Sequence, residues 1–186
     1  MLGFAFCGSF CTMGAALVSL EELIGEGFEV QPIMSECAYS TDTRFHPAAD
    51  FRRRVEGLTG RSIIHTVAAA EPLGPRTPLD ALVIAPCTGN TLAKMALGIT
   101  DTAVTMAAKA HLRSDRLTVI ALASNDALSQ NLQNISRMLT RRSLYFVPMR
   151  QDDPEGKPHS LVAAMDQIAP TLHRAMKGEQ PRPIFI

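Results

Sequence analysis

The chain of 186 residues contains no tryptophan, and aromatic side chains make up only 5% of it. Its core must therefore be built mainly from small and flexible side chains, including nine methionines. Net charge is also absent, because 18 Lys and Arg residues balance 18 Asp and Glu residues. A neutral chain gives no sign of binding nucleic acid or an anionic membrane surface, and it leaves self-association electrostatically unopposed.

Long apolar runs are missing too, since none is long enough to span a bilayer. The apolar residues 1–18 are interrupted by glycine, serine and threonine, and they lack the basic leader of a signal peptide. The four cysteines form no CxxC pair, and neither histidine nor carboxylate lies near Cys7 and Cys11, so we expect no metal site. Four free thiols favour a cytoplasmic protein.

The most informative stretch that is present runs from residue 80 to residue 91. Residues 81–85 form an unbroken apolar run, typical of a strand buried on both faces of a parallel sheet. Pro86 should end this strand because it has no N–H to donate, and residues 87–91 should form a polar turn before a helix. Such a turn places N–H groups and hydroxyls at the carboxyl edge of the sheet, where ligands and especially anions bind. An ordinary strand-to-helix loop with a Thr or Asn cap is the alternative.

Strands and helices alternate along the whole chain. This alternation predicts an α/β, three-layer Rossmann/flavodoxin-like domain with a mainly parallel sheet. Residues 1–176 should form this single domain, and 177–186 a proline-rich tail that is either disordered or docked on a neighbouring subunit. Ser124-Asn125-Asp126 should cap the helix 127–142, and Ser160 should cap the last helix. The predicted strands are 2–7, 28–34, 62–67 (strand or extended segment), 81–85, 116–123 and 144–148, and the predicted helices are 15–24, 47–58, 92–97, 101–112, 127–142 and 160–176.

Two further positions suggest a ligand site. Gly8 and Ser9 follow the first predicted strand, in the turn where doubly wound folds hold phosphate, although many such turns contain glycine without any ligand. His65 can transfer a proton near neutral pH, or it can be an ordinary polar residue of a loop. The residues alone therefore lead to a phosphate-bearing ligand at the carboxyl edge of the sheet.

Several motifs resemble, in the same order, the flavoprotein family of homo-oligomeric flavin-containing cysteine decarboxylases and flavin prenyltransferases. The family turn reads Pro-Ala-Ser/Thr-x-Asn-Thr, and here Cys87 replaces the alanine. The decarboxylases carry Pro-x-Met-Asn where this chain has residues 122–125, and their substrate clamp is not recognisable in residues 147–158, which argues against a cysteine substrate. The motifs that carry the resemblance, spread over residues 1–145, are Gly8-Ser9, Ser35, His65, Pro86-Cys87-Thr88-Gly89-Asn90-Thr91 and Ser124-Asn125.

The resemblance implies FMN as a possible cofactor, with small residues and hydroxyls around its phosphate and ring. It also implies that His65 and Asn90 are catalytic, with His65 as the proton acceptor. The implied cofactor-binding residues are Gly8, Ser9, Ser35, Pro86, Cys87, Thr88, Asn90, Thr91, Ala121 and Ser124.

Within the family, segments 8–12, 41–45, 85–91 and 147–158 resemble a branch that works with a second, dehydrogenase-like subunit. This implies an oxidoreductase acting on a small dicarboxylate held by Arg44, Arg150 and Lys157, because guanidinium groups bind carboxylates well. NAD(P) on the partner subunit is then an alternative hydride acceptor. The resemblance also implies a trimer-based homo-oligomer, extending in some members to a dodecamer. A non-catalytic scaffold that holds FMN or phosphate and an FMN-dependent decarboxylase stay open as alternatives.

Overall fold

The computed structural model describes residues 1–74 and 76–186. None of the helices in this part of the chain has the length and hydropathy needed to cross a lipid bilayer. The strands are β1 Leu2–Phe6, β2 Val30–Met34, β3 Ala81–Thr88, β4 Leu117–Ser124, β5 Leu144–Phe146, β6 Met149–Arg150 and β7 Leu161–Ala163. The α-helices are α1 Phe10–Gly25, α2 Glu36–Ser40, α3 Ala48–Thr59, α4 Val67–Ala70, α5 Gly89–Leu97, α6 Ala103–Leu112, α7 Leu132–Leu139 and α8 Ile168–Ala175, with 3₁₀ turns at Glu71–Leu73 and Met165–Gln167.

The sheet is mainly parallel, as predicted. Strands β2, β1, β3, β4 and β5 pair in parallel in that order, which is the strand order of flavodoxin-like folds. The carboxyl end of β4 extends past β5 and pairs with β7 in the antiparallel sense, and β7 pairs with β6 in the same way. The strand order reverses around β1, which places the ends of β1 and β3 side by side at the carboxyl edge.

Helices cover both faces of the sheet, which confirms the three-layer architecture. Successive residues of a strand point to opposite faces. Phe4 and Phe6 accordingly pack with α1, α3 and α8 on one face, whereas Ala5 and Cys7 pack with α5, α6 and α7 on the other. Phe51 from α3 meets Phe6 edge to face at 5.3 Å between ring centroids, and this contact packs α3 against β1.

The prediction that β3 ends at Pro86 was wrong. The strand continues to Thr88, with a register shift between Ile84 and Cys87 after which Cys87 pairs with Leu122. The register shift accommodates Pro86, which has no backbone N–H to donate to β4. The Pro86 carbonyl still accepts a hydrogen bond from the Cys7 backbone N–H at 3.2 Å. Residues 87 and 88 therefore belong to the strand, and the helix follows without an intervening polar turn.

Two predicted helix starts were also wrong. Ser124 caps no helix, because its hydroxyl donates to Asp126 and residues 125–131 form turns before α7 begins at Leu132. Ser160 precedes strand β7, and α8 begins only at Ile168. The free end of β4 explains the second error, since its unpaired backbone groups find a partner in β7. A local pattern cannot reveal such a long-range pairing.

The proline-rich tail packs on the same chain. The Gln180 side chain bonds both backbone groups of Phe146, at 2.9 Å to its N–H and 2.7 Å to its carbonyl. Met149 donates to the Ile184 carbonyl at 2.8 Å, and its own carbonyl accepts from Ile186 at 3.0 Å. The segment therefore extends this edge of the sheet, neither disordered nor held only by a neighbouring subunit.

His111 in α6 should make the fold sensitive to acid. The side chain is fully buried, its Nδ1 lies 3.2 Å from the Leu117 carbonyl oxygen, and its Nε2 has no partner among the described residues. Burial lowers the pKa of His111 to about 4. Because the unfolded chain then binds the proton more tightly, the free energy of unfolding should fall by up to roughly 3 kcal/mol as the pH drops from about 6.5 to 4.

Chemical denaturation across this pH range checks the effect. His111→Gln keeps an N–H donor for the Leu117 carbonyl and does not titrate, so its stability should change less with pH. Equal pH slopes for the two proteins would contradict the assignment.

Candidate functional site

A cavity of about 950 Å³ opens at the carboxyl edge of the sheet. Gly8 and Ser9 after β1, Thr88 at the end of β3 and Ser124 at the end of β4 line it. It therefore lies beside the β1/β3 junction where the strand order reverses, which is where open α/β sheets bind ligands.

Two helices begin at this cavity. Helix α1 follows Ser9, whose side chain does not cap it and instead accepts a hydrogen bond from the Thr12 hydroxyl at 3.0 Å. Helix α5 begins at Gly89, and the Thr88 hydroxyl caps it by accepting from the Thr91 N–H at 3.2 Å. The amino ends of both helices carry partial positive charge and unpaired N–H groups. Their convergence favours an anion such as a phosphate group.

A polar network supports one wall of the cavity. The Asp126 carboxylate accepts from the Ser124 hydroxyl and from Asn131 Nδ2, at 2.8 and 2.9 Å to its two oxygens. Asn131 in turn accepts from Asn134 at 2.9 Å. These hydrogen bonds lower the pKa of Asp126, and the one from Ser124 makes the largest contribution. Asp126 therefore stays ionised near neutral pH. The network fixes the Ser124 hydroxyl as a donor to Asp126, which leaves its oxygen free to accept from a ligand.

Two glycines bring backbone close to neighbouring groups. A Cβ on Gly89 would lie 2.2 Å from Ser124 Oγ and 2.6 Å from Asn131 Nδ2, so any side chain there would displace the polar network. A Cβ on Gly8 would meet Cys37 Sγ at 3.0 Å. The lack of a side chain at these two positions lets the backbone lie this close to its neighbours.

Two cationic side chains among the described residues, Arg44 and Lys157, line the cavity, and they differ in their ion pairing. The Arg44 guanidinium stacks over the Phe45 ring at 4.9 Å and has no ion pair within the described part of the chain. Lys157 Nζ lies 3.1 Å from Asp152, and this hydrogen bond raises the pKa of Lys157. Arg44 is therefore available to an anionic ligand, whereas Lys157 must first release the Asp152 carboxylate to bind such a ligand.

Seven of the predicted site residues line this cavity, and five of the predicted cofactor-binding residues do not. Cys87 and Ala121 are fully buried inside strands, and burial raises the pKa of the Cys87 thiol well above its usual value. Thr91 donates to Cys7 Sγ at 3.3 Å, and Ser35 caps α2 by accepting from the Ala38 N–H. The lining residues are Gly8, Ser9, Arg44, Thr88, Asn90, Ser124 and Lys157, and the others are Ser35, Pro86, Cys87, Thr91 and Ala121.

The structure also separates His65 and Arg150 from this cavity. The His65 ring stacks on Tyr39 at 3.7 Å between centroids, and the Arg52 guanidinium lies over the same Tyr39 ring at 4.4 Å. Arg150 lies on β6 and lines a different groove. Within one chain, neither residue faces the cavity in which we expected it.

The sequence did not reveal the role of Asp126 and Asn131. Asp126 belongs to the predicted cap and Asn131 to the predicted helix 127–142, and neither position carries a motif that marks a ligand site. Their importance depends on the approach of Gly89 from another strand end, which only the tertiary structure brings about.

Comparison with known proteins agrees with this geometry. The model of the Flavoprotein family matches residues 2–173. The B subunit of dipicolinate synthase from Bacillus subtilis (strain 168) is 43% identical over 185 residues, covering 100% of this chain and 92% of that protein. The crystal structure of the B subunit of dipicolinate synthase from Bacillus halodurans has a TM-score of 0.91 and 39% identity, covering 100% and 95% of the two chains.

A more distant relative points the same way. The FMN-dependent cysteine decarboxylase SpaF has a TM-score of 0.67 and 26% identity, covering 94% of this chain and 96% of its own. The full-length matches confirm the resemblance drawn from the motifs. Because the first two relatives are named as B subunits, their names imply that those proteins have a second subunit as partner. This chain belongs to the Flavoprotein family.

Proposed function

We propose that this chain is the B subunit of a dipicolinate synthase. With an A subunit, it contributes to oxidation of dihydrodipicolinate, formed from hydroxytetrahydrodipicolinate, to pyridine-2,6-dicarboxylate during sporulation, in the cytoplasm of the mother cell. The observation that carries this proposal is the open cavity, at which two helices begin and which Arg44 lines, in a chain that matches two such subunits over its full length.

The residues of the cavity fit FMN. A volume of about 950 Å³ accommodates a ring cofactor, and the starts of α1 and α5 supply donors for its phosphate. Gly8 and Ser9 would hold the phosphate, and Thr88, Asn90 and Ser124 would contact the ring, with Asn90 able to donate and to accept. Bound FMN would supply a two-electron acceptor, and NAD(P) on the A subunit is the alternative acceptor.

Arg44 and Lys157 are the cavity's candidates for holding the two carboxylates of the substrate. Both line the cavity, whereas Arg150 does not. Arg44 has no ion pair among residues 1–74 and 76–186, so it can bind one carboxylate without breaking one. Lys157 would release Asp152 to bind the second. This replaces our expectation that three cations act together.

None of the described lining residues is a good proton acceptor near neutral pH. The pKa values of Asp126 and Asp152 are both lowered, chiefly by hydrogen bonds from Ser124 and Lys157, so these carboxylates bind a proton weakly near neutral pH. His65 remains our candidate base. We infer a trimer-based homo-oligomer, with a dodecamer as its largest form, in which His65 of one subunit approaches the open cavity of another.

A non-catalytic scaffold is the second candidate function. The absence of a well-placed base among the described lining residues favours it. An assay of dihydrodipicolinate oxidation with A alone, B alone and both, each with and without FMN, separates the two. Bound flavin and a rate that requires both subunits and FMN support catalysis, and full activity of A plus flavin-free B supports the scaffold. The decarboxylase alternative predicts release of carbon dioxide from an aminoacyl-cysteine substrate.

Arg44→Gln should raise the KM for the dicarboxylate by about 10-fold or more in the reconstituted A plus B complex. A hydrogen bond to a charged group contributes roughly 1.5–3 kcal/mol, and glutamine cannot provide the charge or the fork. Arg53→Gln is the matched control, because Arg53 is exposed and paired with Asp50 on α3. Steady-state kinetics checks the prediction, which fails if both variants behave like the wild type.

His65→Ala should leave the fold and the flavin content unchanged and slow dipicolinate formation by about 100-fold or more, as expected for loss of a general base. His173→Ala serves as control, since His173 is exposed and bonds Glu26 at 2.8 Å. Full activity of the His65 variant would remove this residue from the mechanism.

A further inference from the structure

The polar network of the cavity wall has a fixed direction, because its first member can only accept hydrogen bonds. The ionised Asp126 carboxylate has no proton to donate, so Asn131 turns its Nδ2 toward the two carboxylate oxygens, at 2.8 and 2.9 Å. The Asn131 Oδ1 then points away from Asp126 and accepts from Asn134 Nδ2 at 2.9 Å. Each of these two side-chain amides is thus held in one of its two possible orientations.

Asn134 ends this series with an unpaired oxygen. The residue is only 9% exposed, and it lines the cavity. Its Nδ2 is turned toward Asn131, so its Oδ1 points away from the network, and within residues 1–74 and 76–186 no group donates to that oxygen. Asn134 Oδ1 does not belong to the polar atoms that are sealed inside the protein without a partner, so it keeps accessible surface. A ligand in the cavity can therefore reach this acceptor.

A nearly buried acceptor of fixed orientation selects ligands that carry a donor at the same place. A ligand carbonyl next to Asn134 Oδ1 would bring two acceptors together, and both would lose their hydrogen bonds to water. The Ser124 oxygen is the other acceptor that the network leaves to the cavity. This wall therefore offers acceptors, whereas the starts of α1 and α5 offer donors.

We propose that Asn134 is a specificity-determining residue, whose Oδ1 accepts a hydrogen bond from the imide N–H of FMN. This inference rests on the proposed function, which assigns FMN to the cavity. The oxidised flavin ring carries several acceptors and only this N–H donor, so a fixed acceptor in the wall allows the ring to bind in a single orientation. For this hydrogen bond Asp126 and Asn131 are positioning residues, since they set the orientation of the Asn134 amide.

Asn134→Leu tests the hydrogen bond, because leucine has a similar shape and no polar atom in its side chain. The probes are FMN and FMN methylated on the imide nitrogen, with dissociation constants measured by flavin fluorescence. The wild type should bind FMN about 10-fold or more tightly than the methylated form, and Asn134→Leu should bind the two within about three-fold of each other. Leucine keeps the bulk of the wall, so a purely steric effect of the methyl group would leave the preference unchanged. Equal preferences of the wild type and Asn134→Leu would overturn the proposal.

Asp126→Asn tests the fixed direction of the network while Asn134 stays intact. An amide at position 126 can donate as well as accept, so Asn131 and Asn134 are no longer held in a single orientation. The preference for FMN over its methylated form should then fall to about three-fold or less. Gln133→Ala is the control, because Gln133 is a cavity amide that does not belong to the series from Asp126 to Asn134, and it should keep the wild-type preference. A preference lost in Gln133→Ala and kept in Asp126→Asn would contradict the proposal.

The outcomes separate this inference from the proposed function. Where FMN binds and dihydrodipicolinate oxidation by A plus B requires it, an unchanged preference in Asn134→Leu overturns only the role of Asn134. Where the wild type binds neither flavin, the assignment of FMN to the cavity fails, and the inference about Asn134 fails with it.

Discussion

Gly89→Ala should weaken flavin binding by about 10-fold or more and lower the free energy of unfolding by about 2 kcal/mol, the usual cost of overpacking. The added Cβ would lie 2.2 Å from Ser124 Oγ, 2.6 Å from Asn131 Nδ2 and 2.9 Å from Asp126 Oδ1. These atoms form the polar network of the cavity wall, so the side chains can move only by giving up their hydrogen bonds. Flavin content after purification and equilibrium denaturation measure the two effects.

Gly14→Ala is the matched control for Gly89→Ala. Gly14 lies within α1, and an added Cβ would meet no heavy atom within 4 Å. Because alanine favours the helix over glycine, this variant should gain about 0.5–1 kcal/mol of stability and keep its flavin. If Gly89→Ala behaved like Gly14→Ala, the close approach of Gly89 to the network would be irrelevant to the site.

Asp126→Ala should lower the free energy of unfolding by about 3 kcal/mol and reduce flavin binding. The change leaves the Ser124 hydroxyl and the Asn131 amide without their acceptor, and both residues are buried. Each buried polar group left unpaired costs about 1–3 kcal/mol. Asp126→Asn keeps one carbonyl oxygen as an acceptor, so its loss should be smaller.

The pH dependence of the same variant gives a second test. Hydrogen bonds lower the pKa of Asp126 below its ordinary value, so its contribution is complete above about pH 4 and is lost as the pH falls through the lower folded pKa. The stability difference between the wild type and Asp126→Ala should therefore shrink in acid. Asp50→Ala, an exposed carboxylate paired with Arg53, should change stability by no more than about 0.5 kcal/mol at any pH. A constant difference between Asp126→Ala and the wild type down to acid pH would contradict this role of Asp126.

Apolar runs and their spacing were enough to predict the parallel core of the sheet. Strands β1, β2, β3 and β4 overlap the predicted strands, because buried parallel strands need unbroken apolar residues that stand out in the sequence. The predictions failed where a segment pairs with a strand that is distant in the sequence. Strand β7 was taken for the start of a helix, and the continuation of β3 through Pro86 was missed, since both depend on pairing with β4.

The candidate site, like the fold, could be predicted only in part. The turn at Gly8 and Ser9 and the turn at residues 87–91 were predicted because each follows a recognisable strand, and adjacent parallel strands end at one edge. The resemblance to the flavoprotein family then singled out Thr88 and Asn90, which line the cavity. Ser35 also follows a strand, yet its hydroxyl is used in capping α2. The identity of a residue and its position after a strand do not show whether its side chain is free to bind a ligand.

By itself, the sequence determined the layered α/β architecture and the edge of the sheet at which the cavity opens, because burial on both faces imposes a local pattern that the residues must satisfy. Only the tertiary structure decided which polar groups line the cavity and that His65 and Arg150 lie outside it. These are contacts between residues far apart in the chain. Their distances depend on how the helices and edge strands pack, which no local pattern records.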